Sequence, residues 1–211
     1  MSYQHYFSTP RQEMLKYIPD NSTKFLEVGC GDGSFAATLM SETNEVWGIE
    51  IDQQRADIAK PRINHLITGD FQENIGQIPK EYFDCIFFND VLEHLLDPCL
   101  VLQKTKPLLK PGGVVISSIP NFRYVGNLQE ILIQGEFKYK EGGILDKTHI
   151  RFFTKKSIIK LYNEAGYDVV SMEGLRPTNS WKVKLFIFLT FGKFSDIRFV
   201  QFATVAKAHD K

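Results

Sequence analysis

The segment Glu27-Val28-Gly29-Cys30-Gly31-Asp32-Gly33 stands where an apolar run, residues 24–28, ends and a helical pattern begins. Glycines at a strand-to-helix junction permit a tight turn and let a ligand approach the backbone. The G-x-G-x-x-G turn of dinucleotide folds seats a pyrophosphate on the helix N-terminus. Here the third glycine comes one residue early and Ser34 occupies the expected place, which disfavours a nicotinamide-dependent oxidoreductase. The carboxylate of Glu27 would repel a pyrophosphate, and it suits a ligand that carries an ammonium and a sulfonium group.

Short apolar runs alternate with helical patterns along the rest of the chain. The runs cover residues 24–28, 45–50, 65–69, 83–88, 114–119, 167–172 and 196–206. The helical patterns cover residues 34–40, 53–59, 98–109 and 154–165. Pro61, Pro111 and Gly166 end the last three of these patterns. Because strands that alternate with helices form parallel sheets with crossover connections, the pattern predicts an α/β domain.

Composition and charge narrow the class of partner. The chain has 211 residues, 43% of them hydrophobic, and its 25 basic residues balance 25 acidic ones. A single domain over residues 1–211 can bury a sufficient core. The sequence has no basic cluster, which argues against nucleic acid or an anionic membrane and favours a small molecule. The cysteines, Cys30, Cys85 and Cys99, show no metal-ligand or disulfide spacing, so we expect no metal site and a reducing, cytoplasmic environment.

The strand ends carry a further set of ordered motifs. The second strand ends in Gly48-Ile49-Glu50-Ile51-Asp52, the third in Gly69-Asp70-Phe71, and the fourth in Asn89-Asp90-Val91-Leu92-Glu93-His94. Together with the glycine turn, they resemble the class I S-adenosylmethionine-dependent methyltransferases over residues 24–206. The resemblance implies a Rossmann-like, doubly wound, seven-stranded and mostly parallel sheet with an antiparallel last strand. It also implies S-adenosylmethionine as the cofactor, a ligand that carries both an ammonium and a sulfonium.

The resemblance gives these strand ends separate roles. Glu50, rather than Asp52, would accept hydrogen bonds from both ribose hydroxyls. Asp70 would accept from the adenine amine, with Ile51 and Phe71 on the two faces of the ring. The complete set of expected cofactor-binding residues is Tyr6, Arg11, Glu27, Gly29, Cys30, Gly31, Gly33, Glu50, Ile51, Asp70, Phe71, Asn89, Asp90, Val91 and His94.

Several of these residues also have simpler structural interpretations. Asp70 by itself is more often a turn residue than a ligand contact. Cys30 is expected to be a small filler whose backbone matters, because no base partner lies near it in sequence. His94 either packs on its own helix or lines the methionine pocket. Arg11 either clamps the methionine carboxylate or lies on a solvated helix face.

Residues 122–153 interrupt the alternation after the fifth strand. Insertions at the carboxyl ends of strands often build substrate sites in open α/β sheets. We therefore expect a substrate-site insert here, with Asn121 and Arg151 contacting the acceptor. Its stretch GILDKTHIRFFT, residues 143–154, and the N-terminal Tyr6-Phe7 resemble a methyltransferase branch found with cell-surface polysaccharide and other carbohydrate biosynthesis. This narrower resemblance implies a small-molecule or carbohydrate acceptor and an N-terminal lid over residues 1–23.

The acceptor atom determines which catalytic group is needed. A hydroxyl requires a general base, whereas an amine needs only to arrive neutral. His149 is the candidate base because histidine titrates near neutral pH, and Asp146 is expected to orient its imidazole. The alternative is a histidine that fixes the loop to the backbone or to a carboxylate. O-methylation is thus the first hypothesis and N-methylation of a small molecule the second. Residues 89–92 read N-D-V-L, unlike the N/D-P-P-Y of amino-directed nucleic-acid methyltransferases, which argues against DNA.

Residues 179–195 are predicted to contain a C-terminal aromatic helix. Apolar residues of this segment alternate with Lys182, Lys184 and Lys193. Such a pattern is typical of a helix that lies on a membrane surface or docks on a partner. The favoured interpretation is a helix that buries its aromatic side chains against the sheet or a twin subunit. A homodimer is therefore possible, and membrane contact is the weaker hypothesis.

Overall fold

One sheet of seven strands organises residues 10–209, the part of the chain that the computed structural model describes. In chain order the strands are β1 (Lys24–Val28), β2 (Glu45–Glu50), β3 (His65–Thr68), β4 (Phe83–Asn89), β5 (Leu109–Pro120), β6 (Tyr167–Pro177) and β7 (Phe199–Ala208). Across the sheet they lie in the order β3-β2-β1-β4-β5-β7-β6. The first five strands pair in parallel, and β7 is antiparallel to both β5 and β6. The predicted Rossmann-like sheet with an antiparallel last strand is confirmed.

The connections between the strands are helical. The α-helices within residues 10–209 are α1 (Gln53–Ala59), α2 (Phe71–Asn74), α3 (Pro98–Thr105), α4 (Val125–Ile133), α5 (Lys155–Glu164) and α6 (Trp181–Leu189). Short 3-10 helices cover Gln12–Tyr17, Ala36–Leu39, Lys60–Arg62, Ile75–Gln77, Leu92–His94, Lys106–Leu108 and Ser195–Arg198. α5 has the predicted Thr154 cap, which forms a capping box with Ser157, and left-handed Gly166 follows its end.

The sheet separates two hydrophobic clusters. Along β4, Ile86 and Phe88 pack into one cluster while Cys85 and Phe87 pack into the other. Successive side chains of a strand point to opposite faces, and all four are fully buried. Both faces of the sheet are therefore covered, as in other parallel sheets with crossover helices. A ligand can reach the strands only at their ends.

The direction of winding reverses between β1 and β4. β2 and β3 follow β1 on one side of the sheet, whereas β4 and β5 lie on its other side. Such a reversal leaves a crevice at the carboxyl ends of the two central strands, where open α/β sheets bind ligands. Val28 of β1 stands beside Phe88 of β4. The glycine turn and the segment 89–94 therefore leave the sheet next to each other.

Two predicted helices are shorter than the sequence pattern suggests. Within residues 34–40 only Ala36–Leu39 is helical, because Asn44 Nδ2 donates to the Leu39 carbonyl at 2.8 Å and the chain enters β2. The helix predicted over residues 98–109 ends at Thr105 and continues as a 3-10 turn. Pro107 lies in that turn and has no N–H with which to extend the α-helical hydrogen bonds.

The aromatic side chains of α6 do not pack on the sheet. Val183 is buried, but Trp181 is 68% exposed and Phe188 is 78% exposed. The favoured prediction, that the aromatic side chains of this helix are buried against the sheet, is therefore wrong. Apolar residues occur on all sides of the helix, and only one side of it can face the protein. No helix within residues 10–209 is long and apolar enough to cross a membrane.

Candidate functional site

A cavity of about 570 Å³ opens at the carboxyl ends of β1, β2 and β4. Thr148 reaches it from the insert, and Leu95 and Leu96 reach it from the loop after β4. Tyr6 lies outside the residues that the structure describes. The predicted cofactor residues that line the cavity are Arg11, Glu27, Gly29, Cys30, Gly31, Glu50, Ile51, Asp70, Phe71, Asn89, Asp90, Val91 and His94.

The glycine turn forms one wall of this cavity. Gly29 has a φ of 70°, and a Cβ atom at this position would lie 2.7 Å from Val91 Cγ2. Both its conformation and the space around it therefore require glycine. Gly33, the last glycine of the predicted cofactor set, does not line the cavity. A Cβ on Gly33 would lie 3.1 Å from the Cα atom of Ala59, so this glycine permits close packing on α1.

Cys30 lies in the glycine turn. Its side chain is buried, and a Cβ on Gly48 would lie 2.8 Å from Cys30 Sγ. Burial raises the pKa of the Cys30 thiol well above its ordinary value, and the neighbouring Glu27 and Glu50 carboxylates raise it further. The thiol is therefore neutral and unreactive, as the interpretation as a small filler predicts.

Glu50 is held in place by the turn itself. Its Oε2 atom accepts a hydrogen bond from the Gly31 N–H at 2.7 Å, and Oε1 accepts from the Asp52 N–H at 2.9 Å. A carboxylate has about four acceptor positions, so two remain for ligand hydroxyls. Asp52 instead caps α1 by accepting from the Arg55 N–H at 3.0 Å. This division of roles agrees with the choice of Glu50 over Asp52.

Asp70 combines the two roles considered for it. Its Oδ1 atom caps α2 by accepting from the Gln72 and Glu73 N–H groups, at 2.7 and 3.2 Å. The interpretation as a turn residue is thus correct, and the same side chain also lines the cavity. Phe71 is buried against Phe88, whereas Ile51 is 70% exposed at the cavity mouth.

Glu27 carries a buried carboxylate that is only half satisfied. Asn89 Nδ2 donates to Glu27 Oε1 at 3.1 Å, and Oε2 has no hydrogen-bond partner among residues 10–209. Burial raises the pKa of Glu27 to about 8, against the lowering effect of the Asn89 hydrogen bond. A cationic ligand group at Oε2 would compensate for the lost hydration.

These residues fit S-adenosylmethionine. Among residues 10–209, Glu27 Oε2 has no hydrogen-bond partner, which suits a ligand ammonium. The remaining acceptor positions of Glu50 suit the two hydroxyls of a ribose. At Gly29 the turn leaves no room for a side chain, so the backbone itself forms the cavity wall. All three features line the same cavity.

Arg11 lies in a buried polar network rather than on a solvated helix face. Its guanidinium is ion-paired with Asp90 and donates to Ser118 Oγ at 2.5 Å. Gln201 Nε2 donates to the other carboxylate oxygen of Asp90 at 2.7 Å. Sequence reasoning missed Ser118 and Gln201, and the available signal was a polar residue among the apolar residues of β5 and β7.

The second group missed from the sequence is Glu93. Its side chain is 1% exposed, and neither carboxylate oxygen has a hydrogen-bond partner within residues 10–209. Burial, with a smaller effect of Asp90, raises the pKa of Glu93 well above its ordinary value. The sequence places Glu93 beside His94 but does not show that it points inward.

Glu93 meets two histidines beside the cavity. His149 Nε2 lies 3.9 Å from Glu93 Oε1, and the His94 and His149 rings meet edge to face at 4.7 Å. His149 Nδ1 donates to the Ile144 carbonyl at 3.0 Å, and His94 Nδ1 contacts the Thr148 carbonyl at 3.1 Å. One ligand atom from each of the three side chains lies within 4.8 Å of the others. The sequence predicts no metal, yet this geometry could accommodate a cation.

His149 is buried and does not itself line the cavity, where Thr148 and His94 are its exposed neighbours. Burial lowers the pKa of His149, so the ring is neutral at neutral pH. The orienting role predicted for Asp146 is wrong. Its Oδ1 atom accepts from the Thr148 N–H and Oγ1 at 2.8 and 2.7 Å, and the Ile144 carbonyl orients the imidazole instead.

Both predicted acceptor contacts have structural roles. Asn121 is fully buried, and its Nδ2 atom donates to the Asp196 and Phe199 carbonyls, each at 2.9 Å. Arg151 lies outside the cavity and donates to the Leu96 carbonyl at 2.6 Å. Neither residue lines the cavity: both Nδ2 hydrogens of Asn121 are taken by backbone carbonyls, and one nitrogen of the exposed Arg151 guanidinium is bound to the loop after β4. The predicted substrate contacts are therefore not found in this structure.

Comparison with known proteins places the chain in a family. Its residues 2–172 match the family Methyltransf_23, described as a methyltransferase domain. The ubiquinone biosynthesis O-methyltransferase of Shewanella sp. (strain ANA-3) is 28% identical over 145 residues, which are 65% of this chain and 60% of that protein. The protein of the same name from Actinobacillus pleuropneumoniae is 32% identical over 126 residues, 56% of this chain and 53% of that protein. The chain thus matches less than two thirds of either relative.

Solved structures share the fold at low sequence identity. A SAM-dependent methyltransferase from Archaeoglobus fulgidus superposes with a TM-score of 0.70 at 20% identity, covering 98% of this chain and 94% of that one. The magnesium protoporphyrin IX methyltransferase of Synechocystis, solved with bound SAH, superposes with a TM-score of 0.64 at 15% identity, covering 97% and 84%. With the family match over most of its length, this chain belongs to the class I S-adenosylmethionine-dependent methyltransferases.

Proposed function

We propose that this chain transfers a methyl group from S-adenosylmethionine to a hydroxyl oxygen of a small organic molecule. The main support is one continuous cavity that joins the glycine turn and Glu50 to His94, next to the buried pair Glu93 and His149. Such a pair offers a proton acceptor close to the place of transfer. The O-methyltransferase names of two relatives favour oxygen over nitrogen.

When bound, S-adenosylmethionine supplies an electrophilic methyl carbon, and the residues of this chain hold and orient it. Glu50 would accept from the ribose hydroxyls through its remaining acceptor positions. Asp70 would accept from the adenine amine beside Phe71. Glu27 Oε2, which lacks a hydrogen-bond partner among residues 10–209, would accept from the ammonium. Holding the reactants in line is the main contribution of an enzyme to a displacement of this kind.

The acceptor hydroxyl must lose its proton during transfer. We place that proton on His149 Nε2, since Nδ1 already donates to the Ile144 carbonyl and Nε2 therefore carries the lone pair. Because His149 is buried beside the cavity and does not line it, one bridging water would carry the proton from the acceptor to this nitrogen. His94 lines the cavity and its ring contacts that of His149, so it would help to position the acceptor. Burial raises the pKa of Glu93, but an imidazolium 3.9 Å away would favour the ionised carboxylate, which would in turn stabilise that positive charge.

Apolar side chains at the cavity edge bear on the acceptor class. Val91, Leu95 and Leu96 line the cavity, and Leu96 is 82% exposed. A hydroxyl carried on an apolar ring would cover these side chains, whereas a sugar would leave them hydrated. We therefore favour a hydroxylated ring compound and keep a carbohydrate precursor as the second candidate.

The test is transfer of a labelled methyl group to three matched acceptors: a substituted catechol, a sugar nucleotide and a primary arylamine. We expect label on the catechol oxygen. Label on the amine nitrogen alone would contradict the O-methylation proposal, and label on the sugar alone would contradict the acceptor class. Calorimetry with S-adenosylhomocysteine verifies that the cofactor site is intact. A parallel assay with a chelator tests whether a cation at Glu93, His94 and His149 takes part.

A further inference from the structure

An exposed apolar surface lies between β6 and β7, formed by α6 and the turn that follows it. We call residues 181–193 the aromatic patch. Its large side chains that stand out from the protein are Trp181, Leu185, Phe186, Phe188, Leu189 and Phe191. Soluble monomers rarely expose so many neighbouring apolar side chains without a binding partner.

The tip of the patch is held in a strained conformation. Phe191 has a φ of 51°, in the left-handed region that a bulky side chain seldom adopts, and it is 98% exposed. The turn is fixed by hydrogen bonds from the Gly192 N–H to the Ile187 carbonyl and from the Ser195 N–H to the Gly192 carbonyl. Strained residues persist where surrounding structure imposes them, often at binding surfaces. Here the strain presents a phenylalanine ring directly to solvent.

The patch is basic as well as apolar. Lys182, Lys184 and Lys193 belong to it, and no aspartate or glutamate occurs from residue 174 to residue 195. None of the three lysines forms an ion pair with a residue in the range 10–209. The neutral charge of the whole chain therefore conceals a local positive surface.

We infer that the aromatic patch is a docking surface for a lipid bilayer with anionic headgroups. Nine helical residues span about 14 Å at 1.5 Å per residue, so α6 lies along the interface rather than across it. Tryptophan and phenylalanine side chains enter the boundary between headgroups and acyl chains, and lysines contact the anionic headgroups.

Charge distinguishes this occupant from a second copy of the chain. A two-fold dimer presents the same surface twice, so its lysines would face the lysines of the partner. The patch contains no carboxylate that could compensate for this repulsion. An anionic membrane satisfies both the apolar and the basic side chains.

The base of the patch is firmly joined to the rest of the molecule. The Phe194 ring packs on Phe186, and the Arg123 guanidinium lies 5.6 Å from the centre of the Phe194 ring. Arg123 also pairs with Asp196 at 3.3 Å. Membrane contact would therefore orient the whole domain, because the patch is anchored to the first residues of the insert.

The experiment is flotation of the full chain with two kinds of vesicles, phosphatidylcholine alone and phosphatidylcholine with phosphatidylglycerol. We expect flotation with the anionic vesicles, its loss at high salt, and weak flotation with the neutral ones. Phe188→Ser with Phe191→Ser should abolish it. Lys182→Gln with Lys184→Gln should weaken partitioning roughly 25-fold, because each basic residue near an anionic surface contributes about fivefold.

The matched control is Leu132→Ser with Ile133→Ser on α4, which removes two equally exposed apolar side chains outside the patch. This variant should float like the unmodified chain. Equal flotation with neutral and anionic vesicles, or none with either, would overturn the inference. Analytical ultracentrifugation would also overturn the inference if the unmodified chain sediments as a dimer and Phe188→Ser sediments as a monomer. The patch would then be the contact surface of a second copy of the chain.

Discussion

Asn89 and Glu27 meet at the floor of the cavity, where Asn89 Nδ2 donates to Glu27 Oε1 at 3.1 Å and leaves Oε2 without a hydrogen-bond partner among residues 10–209. A buried carboxylate with one satisfied oxygen costs stability in the free protein. The same oxygen is available to a cationic ligand. The unsatisfied oxygen therefore favours ligand binding and lowers the stability of the ligand-free protein, a common trade-off in enzymes.

The first prediction concerns stability and pH. The Glu27 carboxyl titrates near 4.5 in the unfolded chain and near 8 in the folded one. Between these values the folded chain keeps a proton that the unfolded chain has lost. The free energy of unfolding due to this group is therefore highest below pH 4.5 and falls as pH rises through 8. Glu27→Gln should remove this slope and raise the free energy of unfolding at pH 8 by roughly 1–3 kcal/mol.

Urea unfolding at pH 5 and pH 8 measures this difference, with the exposed Glu42→Gln as the matched control. In the unmodified chain, binding of S-adenosylhomocysteine at pH 7 should also release a proton, because the ligand ammonium favours the ionised carboxylate. Calorimetry in two buffers of different ionisation enthalpy reports that proton. An unchanged slope in Glu27→Gln would show that Glu27 does not titrate in this range.

The second prediction uses the contact between Gly29 and Val91. A Cβ on Gly29 would lie 2.7 Å from Val91 Cγ2, at a φ of 70°. Gly29→Ala should therefore lower the free energy of unfolding by roughly 1–3 kcal/mol and weaken cofactor binding. Val91→Ala should restore part of the loss in the double variant, because the colliding methyl group is gone. A double-mutant cycle by urea unfolding measures this coupling, and strict additivity would contradict the steric explanation.

The third prediction separates Glu50 from Asp52. Glu50→Ala removes the acceptor for the ribose and for the Gly31 N–H, so affinity for S-adenosylhomocysteine should fall by roughly 2–4 kcal/mol. Asp52→Ala removes only the cap of α1, which should lower stability by roughly 1 kcal/mol and leave affinity nearly unchanged. Calorimetry and thermal unfolding of both variants give the comparison. A greater loss of affinity in Asp52→Ala than in Glu50→Ala would show that Asp52, and not Glu50, binds the ribose.

The strand ends could be predicted from the sequence because their signals are local. Glycine spacing and apolar runs mark where each strand stops, and the rule that ligands bind at the carboxyl ends of parallel strands then brings Glu27, Glu50 and Asp70 to one cavity. Gly33 is the exception. Gly33 has the positive φ of the turn, but the atoms nearest to it are those of Ala59 in α1 and not those of the cavity. A sequence motif does not show which of these a glycine faces.

Irregular segments could not be predicted in the same way. Asn121, Asp146 and Arg151 are polar residues in or beside the insert, and each hydrogen-bonds to the protein instead of facing the cavity. Their partners are distant in the chain or depend on loop geometry, so no periodicity reveals them. The burial of Glu93 is hidden for the same reason, because its 3-10 turn has no repeating face.

The last prediction tests the buried pair of Glu93 and His149. If His149 Nε2 receives the acceptor proton, His149→Gln should lower kcat by roughly 10²–10⁴ while the KM for S-adenosylmethionine changes little. Glu93→Gln should also lower kcat, since glutamine cannot ionise beside the imidazolium that forms 3.9 Å away. Asn121→Ala is the structural control: it breaks two hydrogen bonds to backbone carbonyls and should lower stability without changing kcat per folded molecule. Single-turnover measurements separate proton transfer from product release. Full turnover in His149→Gln would make this histidine a loop-fixing residue, because its hydrogen bond to the Ile144 carbonyl would then be its whole role.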